Sequence, residues 1–185
     1  YWWKGQLPKK QFVLPKELEK YYKKFPHGAT LCEIRSSSSQ YTIVPASKHS
    51  KADEYVKWEK YKGIDEYPGN LNADLRKVAL STALCILYGS QGQRDNYCAA
   101  IAGVLLKHTN WNESEIDEFV YNLALESDDN EAEDRTKKGT SGKKATRNLG
   151  LPKLAEIIGC STRTVAELFS WVGVEYAAGK EIAQE

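Results

Sequence analysis

Charged residues in the second half of the chain have the types and the spacing that phosphate binding requires. Six acids between positions 126 and 134 are followed by six bases: Arg135, Lys137, Lys138, Lys143, Lys144 and Arg147. Gly, Ser and Thr separate these bases, so a loop around phosphate oxygens could offer both cationic groups and backbone amides. The pattern indicates an anion clamp, without the spacing of a P-loop. The alternative is a solvated loop whose charges pair locally.

Glu33 is the acid with the most unusual setting. It stands between Cys32 and Ile34 in a run of strand character, where a carboxylate is costly unless it is paired or binds a cation. The alternative is a water-facing Glu that is paired close to Arg35, which the alternation of strand residues allows. The three histidines stand too far apart for a local ligand set, and the four cysteines form no CxxC pair.

Two amphipathic helices would position the charged residues of the second half. Apolar residues at i, i+3, i+4 and i+7 predict one helix that carries residues 97–108 and another that carries residues 116–123. The connector between them is short, so we expect them to pack antiparallel, with Arg94 next to Glu131 and Arg135. Helix starts and arginines both favour phosphate.

The connector and the first helix also contain aromatic and capping residues. Asn112 followed by Glu115 predicts a capping box at the start of the second helix. Trp111 and Tyr97 are candidates for stacking on nucleic-acid bases. For both aromatic residues a place in the core is the alternative.

The flanking segments of the second half also have helical patterns. A wide apolar stripe predicts a helix from Asn72, buried on more than one side and ended by a left-handed Gly89. Residues 151–173 predict two short helices divided at Gly159, with the spacing of a helix-turn-helix. The same spacing serves any tightly packed pair of helices.

The first 60 residues have strand character instead. Aromatic and β-branched residues predict four strands, at residues 1–3, 11–14, 31–35 and 40–44, the last two as a hairpin, with a helix behind Pro15. The predicted fold class is therefore mainly α, a helix bundle preceded by a partial antiparallel β (α+β) segment. The predicted organisation is a first domain at 1–60, a linker at 61–70, a helix bundle at 71–175 and a tail at 176–185.

Composition limits the function classes only loosely. The 185 residues carry a formal net charge of +1, which argues neither for nor against a nucleic-acid partner. Scattered cysteines and the lack of a signal peptide or long apolar run predict a cytoplasmic protein with no membrane partner. The start at Tyr1 and the absence of Met suggest a piece of a longer chain.

Residues 31–49, together with Trp58, resemble the closing part of the primase-polymerase domain of the archaeo-eukaryotic primase superfamily, in its plasmid and phage version. In that family a strand of the form hydrophobic-acid-hydrophobic-Arg supplies the third metal-binding carboxylate, and a Pro-x-Ser-x-His strand helps to hold the incoming nucleotide. The resemblance implies that Glu33 is catalytic and binds Mg²⁺ or Mn²⁺. It implies that Arg35, Ser47 and His49 bind nucleotide.

Residues 89–173 resemble the helix-bundle domain that follows in the same family. The matching features are Gly-Gln-Arg at 92–94, an Asp-x-Glu-x-x-x-Arg segment at 129–135, and the two helices that close on Phe-Ser-Trp-Val-Gly at 169–173. The resemblance implies binding of a single-stranded DNA template and of ATP or another nucleoside triphosphate during primer initiation. Arg94, Glu131 and Arg135 would bind the nucleotide. The bases at 137–147 and Trp111 would contact DNA, and a helicase domain would lie further along the parent chain, in the cytoplasm of a host cell.

The chain also departs from the family pattern. The first two family motifs, Asp-x-Asp or Asp-x-Glu and Ser-x-His, have no counterpart before Leu31. Two-metal nucleotidyl transfer needs several carboxylates, so we expect this piece to be inactive alone, whereas its parent would be a DNA primase and polymerase. Two other classes stay open. One is a helix-turn-helix regulator that reads duplex DNA with residues 161–171, and the other is a protein-interaction helix bundle.

Overall fold

A computed structural model describes residues 10–23, 25, 28–34, 47–48, 54–57, 68–135 and 149–176. Two strands, β1 and β2, and six α-helices, α1 to α6, make up the regular structure of these residues. Their bounds are Lys10–Val13 (β1), Glu19–Tyr22 (α1), Thr30–Ile34 (β2), Leu71–Ile86 (α2), Arg94–His108 (α3), Glu113–Glu126 (α4), Leu151–Ile158 (α5) and Thr162–Ser170 (α6). Short 3₁₀ helices cover Lys16–Leu18 and Ala132–Arg135. The predicted fold class is confirmed.

The two strands form an antiparallel pair. Gln11 stands opposite Glu33, Phe12 opposite Cys32, and the register shifts between Phe12 and Val13. The predicted strands at 1–3 and 40–44 lie outside the described residues, so the predicted hairpin of residues 31–44 stays a prediction.

The N-terminal segment packs directly on the helices. Leu14 and Leu18 belong to the same buried apolar core as the residues of α2 to α6. The Phe12 ring meets Trp171 edge to face at a centroid distance of 5.5 Å, and the Tyr21 hydroxyl donates to the Ile158 carbonyl at 2.6 Å. The described parts of the predicted first domain and of the helix bundle therefore share one core. The predicted linker at 61–70 is described only at 68–70 and stays a prediction.

Helix α3 has the largest number of buried residues among the described elements. Eight of its 15 residues are buried, and it packs against both α4 and α5. Helix α2 packs against β2, α4 and α6, which confirms the prediction of a helix buried on more than one side. No helix within the described ranges has the length and apolar character needed to cross a membrane.

The helix boundaries follow from local capping, with one correction to the predictions. Asn112 Oδ1 accepts from the Glu115 amide at 3.0 Å, and Glu115 Oε2 accepts from the Asn112 amide at 2.8 Å, so the predicted capping box is confirmed. Gly159, at φ 74°, ends α5 as predicted. The prediction of a left-handed cap at Gly89 is wrong. Helix α2 ends at Ile86, and the next residue, Leu87, has φ −95° and an amide that donates to the Ala83 carbonyl. Gly89 does not have a positive φ, so no left-handed residue closes this helix.

The backbone that precedes α5 lies against α3 at Gly103. A Cβ atom at this position would lie 2.1 Å from the carbonyl oxygen of Leu149, a distance that real Cβ atoms do not tolerate. The absence of a side chain therefore allows residue 149 to rest against the middle of α3.

Candidate functional site

A buried carboxylate joins the ends of three helices on one side of the bundle. The Asp129 side chain is fully buried and accepts from four groups. The donors are the Tyr88 hydroxyl at 2.8 Å, Arg94 Nη1 at 3.2 Å, Arg135 Nε at 3.3 Å and the Glu131 amide at 3.1 Å. We call Tyr88, Arg94, Asp95, Asp129, Glu131 and Arg135 the Asp129 cluster.

The chain reversal after α4 places Asp129 in this position. Asp128 has a positive φ of 52°, the left-handed conformation that usually follows the end of a helix. The Asp128 amide donates to the Leu125 carbonyl and the Asp129 amide to the Ala124 carbonyl, which is the Schellman pattern. This turn directs the chain back toward the start of α3, where Arg94 and Asp95 stand.

Arg135 is almost completely neutralised within the Asp129 cluster. Its side chain is 7% exposed, and each guanidinium nitrogen faces a carboxylate. Nε bonds Asp129 at 3.3 Å, Nη1 bonds Asp95 at 3.1 Å and Nη2 bonds Glu131 at 2.6 Å. The expected proximity of Arg94, Glu131 and Arg135 is confirmed. However, each of the three guanidinium nitrogens of Arg135 is engaged by a protein acid, so the residue acts as a clamp between α3 and the segment after α4.

The surroundings of Asp129 and Arg135 keep both of these groups charged. Burial alone would raise the pKa of Asp129, but the hydrogen bonds from Tyr88 and the Glu131 amide and the charge of Arg135 outweigh it and lower the pKa. Burial likewise opposes the charge of Arg135, yet Glu131 and Asp129 raise its pKa. Burial, with Cys98 and Asp129 nearby, raises the pKa of Tyr88, which therefore keeps the proton that it donates.

Arg94 is the more accessible of the two arginines in the cluster. Its side chain is 25% exposed, and Nη1 is the atom through which it bonds Asp129. Its guanidinium lies over the Tyr88 ring at 5.7 Å, and its buried Nε has no hydrogen-bond partner within the described ranges. An anion that reaches this edge would therefore meet Arg94 rather than Arg135. It would also meet the half-exposed carboxylates of Asp95 and Glu131, so added positive charge is needed for tight binding.

Positive charge follows directly after Arg135 in the sequence. We call residues 136–148 the basic loop, after the sequence prediction. It contains five bases and no acid. The predicted DNA-binding residues Lys137, Lys138, Lys143, Lys144 and Arg147 lie outside the described residues. Both flanks of the loop are described, and both rest on α3. Arg135 bonds Asp95 in the first turn, and Leu149 contacts Gly103 eight residues later, about 12 Å along the axis.

The other predicted nucleotide and metal residues lie in the N-terminal segment. Glu33 is half-buried on β2, and Gln11 Nε2 donates to its Oε1 at 3.0 Å across the strand pair. Ser47 is exposed, and its carbonyl accepts from the Val56 amide at 2.9 Å. Arg35 and His49 lie outside the described residues. Among the residues that are described, no group of three or more His, Cys, Asp or Glu could hold a metal ion. A single carboxylate does not make a site for Mg²⁺ or Mn²⁺, so the metal role of Glu33 stays a prediction.

The two aromatic candidates have different environments. Tyr97 is fully buried and its hydroxyl donates to the Leu84 carbonyl at 2.8 Å, so the interpretation of Tyr97 as a base-stacking residue is wrong. Trp111 is half-buried at the connection between α3 and α4. It stands at the end of α3 opposite Arg94, and 15 helical residues span about 22 Å. The structure therefore does not bring Trp111 together with the Asp129 cluster.

The predicted helix-turn-helix has an acid bound at the start of its second helix. Glu17 accepts from the Ser161 amide and from the Ser161 hydroxyl, both at 2.7 Å, and from the Thr164 hydroxyl. The hydrogen bonds from Thr164 and Ser161 lower the pKa of Glu17, so the carboxylate is charged at neutral pH. Reading helices of this motif contact bases with their N-terminal residues. A fixed carboxylate at that end opposes the approach of DNA, and the regulator hypothesis gains no support from this geometry.

Comparisons with protein-family models, with curated proteins and with solved structures give no match to this chain. Membership of the primase-polymerase superfamily therefore stays a prediction from the residues themselves. The sequence interpretation missed Tyr88 and the central role of Asp129. Asp129 stood in a run of six acids, and no sequence pattern distinguishes the one that the chain reversal buries.

Proposed function

We propose that this chain is part of a replicative DNA primase-polymerase of the plasmid or phage type. Its helix bundle would bind single-stranded DNA template and a nucleoside triphosphate at the end of α3 that carries Arg94. The observation that carries the proposal is the anchoring of the basic loop. Five bases without an acid stand in sequence between two residues that the core fixes: Arg135, which three carboxylates hold, and Leu149, which packs on Gly103.

The anchoring matters because the segment whose two ends it fixes has five positive charges, whereas the chain as a whole is nearly neutral. The chain has a net charge of +1, and the loop alone contributes +5, so the remaining residues sum to −4. Phosphates would therefore be attracted to the loop and repelled by most of the other surface. Gly and hydroxyl residues in the loop add backbone amides and hydroxyl donors for phosphate oxygens.

Within this proposal, Arg94 and Arg135 have different roles. Arg94 is partly exposed and would bind a phosphate of the nucleotide. Arg135 and Glu131 bond each other at 2.6 Å and would position Arg94 and the start of the loop through Asp129. Catalysis by the parent enzyme would depend on Mg²⁺ or Mn²⁺ held by several carboxylates, to which this chain would contribute Glu33. The described residues form no such site, so no catalytic step is assigned to them.

The test is a titration of a fluorescent single-stranded oligonucleotide with the full chain, with and without ATP, followed by anisotropy. We expect Lys143→Gln combined with Lys144→Gln, and separately Arg94→Gln, to weaken binding by about tenfold or more. The matched control is Lys16→Gln combined with Lys23→Gln, which removes the same charge from exposed positions of the N-terminal segment. Thermal melts verify that each variant is folded.

Three outcomes would oppose the proposal. An equal loss of oligonucleotide affinity in the Lys143 and Lys144 variant and in the control variant would mean that binding depends only on the total charge of the chain. Flat titrations with both DNA and ATP would favour the protein-interaction bundle. Tighter binding of one duplex sequence, lost on Arg163→Gln, would favour the helix-turn-helix regulator.

A further inference from the structure

A cavity with polar and apolar walls lies at the opposite end of the bundle from the Asp129 cluster. It has a volume of about 260 Å³ and lies between the start of α2, the connection from α3 to α4, and the turn that follows α6. The residues that matter for its chemistry are Asn70, Asn72, Arg76, Lys77 and Trp111. We call it the Trp111 cavity.

Two cations line this cavity, and no carboxylate in the described part of the chain pairs with either of them. Arg76 donates from Nε to Asn72 Oδ1 at 3.3 Å and from Nη1 to the Trp171 carbonyl at 3.2 Å, and both acceptors are neutral. The Lys77 ammonium lies 4.7 Å from the centroid of the Trp111 ring. Neither cation forms an ion pair in the described part of the chain, and both side chains are half-buried. Two adjacent cations that are partly removed from water gain from an anion between them.

The polar side chains beside the cations also present donors. Asn70 Oδ1 already accepts from the Ala73 amide at 3.1 Å, as the N-cap of α2, and Asn72 Oδ1 accepts from Arg76. The amide nitrogens of these two side chains have no hydrogen-bond partner among the described residues, and an amide nitrogen can only donate. Arg76 uses two of the five N–H groups that a guanidinium carries, and the Lys77 ammonium has three more. The cavity therefore offers donors and positive charge to one ligand.

We propose that the Trp111 cavity binds a phosphate group, held by Arg76 and Lys77, with the amides of Asn70 and Asn72 at its edge and the Trp111 ring as its apolar wall. The volume is smaller than the roughly 300–1,000 Å³ typical of sites that enclose a whole drug-sized ligand. The rest of a phosphorylated molecule would therefore extend into solvent. Because the cavity lies about 22 Å along α3 from Arg94, this proposal is independent of the function proposed above.

The test is an NMR titration of the ¹⁵N-labelled full chain with three ligands in separate series. The ligands are inorganic phosphate, ATP, and a short single-stranded oligonucleotide compared with and without a 5′-phosphate. We expect saturable shifts of the Trp111 indole N–H and of the amides around Asn70 to Lys77. A single phosphate group held by few contacts binds weakly, with a Kd of about 1 mM. The ligand concentration in each series therefore extends to about 20 mM.

Lys77→Gln is the decisive variant, because Lys77 has no hydrogen-bond partner among the described residues whose loss would disturb the fold. We expect it to weaken the shifts at Trp111 by about tenfold, and Arg76→Gln to weaken them at least as much. The control variant, Lys16→Gln with Lys23→Gln, should leave them unchanged. Shifts with all three ligands support a general phosphate site. Shifts with ATP alone or with DNA alone support the site and show which molecule carries the phosphate that it binds.

The absence of saturable shifts at Trp111 in all three series would overturn the proposal, as would shifts that Lys77→Gln does not change. Shifts confined to the surroundings of Arg94 would overturn it while supporting the function proposed for the basic loop. Loss of oligonucleotide binding in the Lys143→Gln and Lys144→Gln variant, with phosphate shifts at Trp111 retained, would separate the two sites.

Discussion

Replacing Asp129 by Asn tests whether the buried carboxylate holds the end of the bundle together. The substitution keeps the shape of the side chain but removes the charge that faces Arg94 and Arg135. Arg135, 7% exposed, keeps Asp95 and Glu131, whereas Arg94 loses its carboxylate. The Asn side chain also has an NH₂ group in place of one carboxylate oxygen, and this donor would face the donors from which that oxygen accepts.

The expected cost follows from the burial of the group. Breaking a buried ion pair by removing one partner costs about 3–5 kcal/mol. Asp95 and Glu131 still neutralise Arg135, so we expect Asp129→Asn to lower the free energy of unfolding by about 3 kcal/mol, at the lower end of that range. For a chain of this length the melting temperature should fall by about 6–12 °C. Urea denaturation at pH 7 and thermal melts measure both quantities.

The pH dependence gives a second, independent readout. The pKa of Asp129 is lowered in the folded state, so the unfolded state binds more protons between the folded pKa and the ordinary value of 3.8. The stability that Asp129 contributes is therefore complete above pH 3.8 and is lost as the pH falls through the folded pKa. The difference between wild type and Asp129→Asn should shrink over the same range.

The control is Asp128→Asn, because this neighbour is exposed and forms no ion pair within the described ranges. Its effect should stay within about 0.5 kcal/mol. A loss below about 1 kcal/mol for Asp129→Asn, or a loss equal to that of the control, would refute the role of Asp129 as the centre of the cluster.

Two further predictions concern contacts that hold other parts of the bundle. Gly103→Ala places a Cβ against the Leu149 carbonyl, so the free energy of unfolding should drop by about 1–3 kcal/mol and the oligonucleotide affinity should fall. Unchanged stability and binding would contradict the close approach of residue 149 to α3. Glu17→Gln removes a carboxylate whose pKa is lowered by its hydrogen bonds from Thr164 and Ser161. The variant should therefore lose less stability than the wild type when the pH falls below the ordinary Glu pKa of 4.5, as measured by urea titrations. The same loss in both proteins would argue against these hydrogen bonds.

Local signals account for the parts of the fold that the sequence predicted correctly. Helices α3 and α4 follow from apolar periodicity, the Asn112 and Glu115 capping box sets the start of α4, and Gly159 sets the end of α5. Each of these features depends on residues within a few positions of one another. Gly89 shows the limit of such signals, because α2 ends before the glycine through a bond of the Leu87 amide.

The features that could not be predicted depend on contacts distant in sequence. Glu17 bonds Ser161 across 144 positions, and Tyr21 bonds Ile158 across 137. Nothing in the local pattern of residues 10–34 indicates that they pack on the last helices. The candidate site shows the same division, since the hairpin geometry predicted that Arg94 and Arg135 are neighbours, whereas the carboxylates that occupy Arg135 became visible only in three dimensions.

The salt dependence of single-stranded DNA binding tests the central claim most directly. If the five bases of the basic loop contact phosphates, the logarithm of the binding constant should fall with the logarithm of salt with a slope of about −3.5, or about 100-fold between 50 and 200 mM. Lys143→Gln with Lys144→Gln should reduce the slope to about −2. A wild-type slope weaker than about −1, or the same slope in wild type and variant, would contradict the claim that the basic loop binds the template.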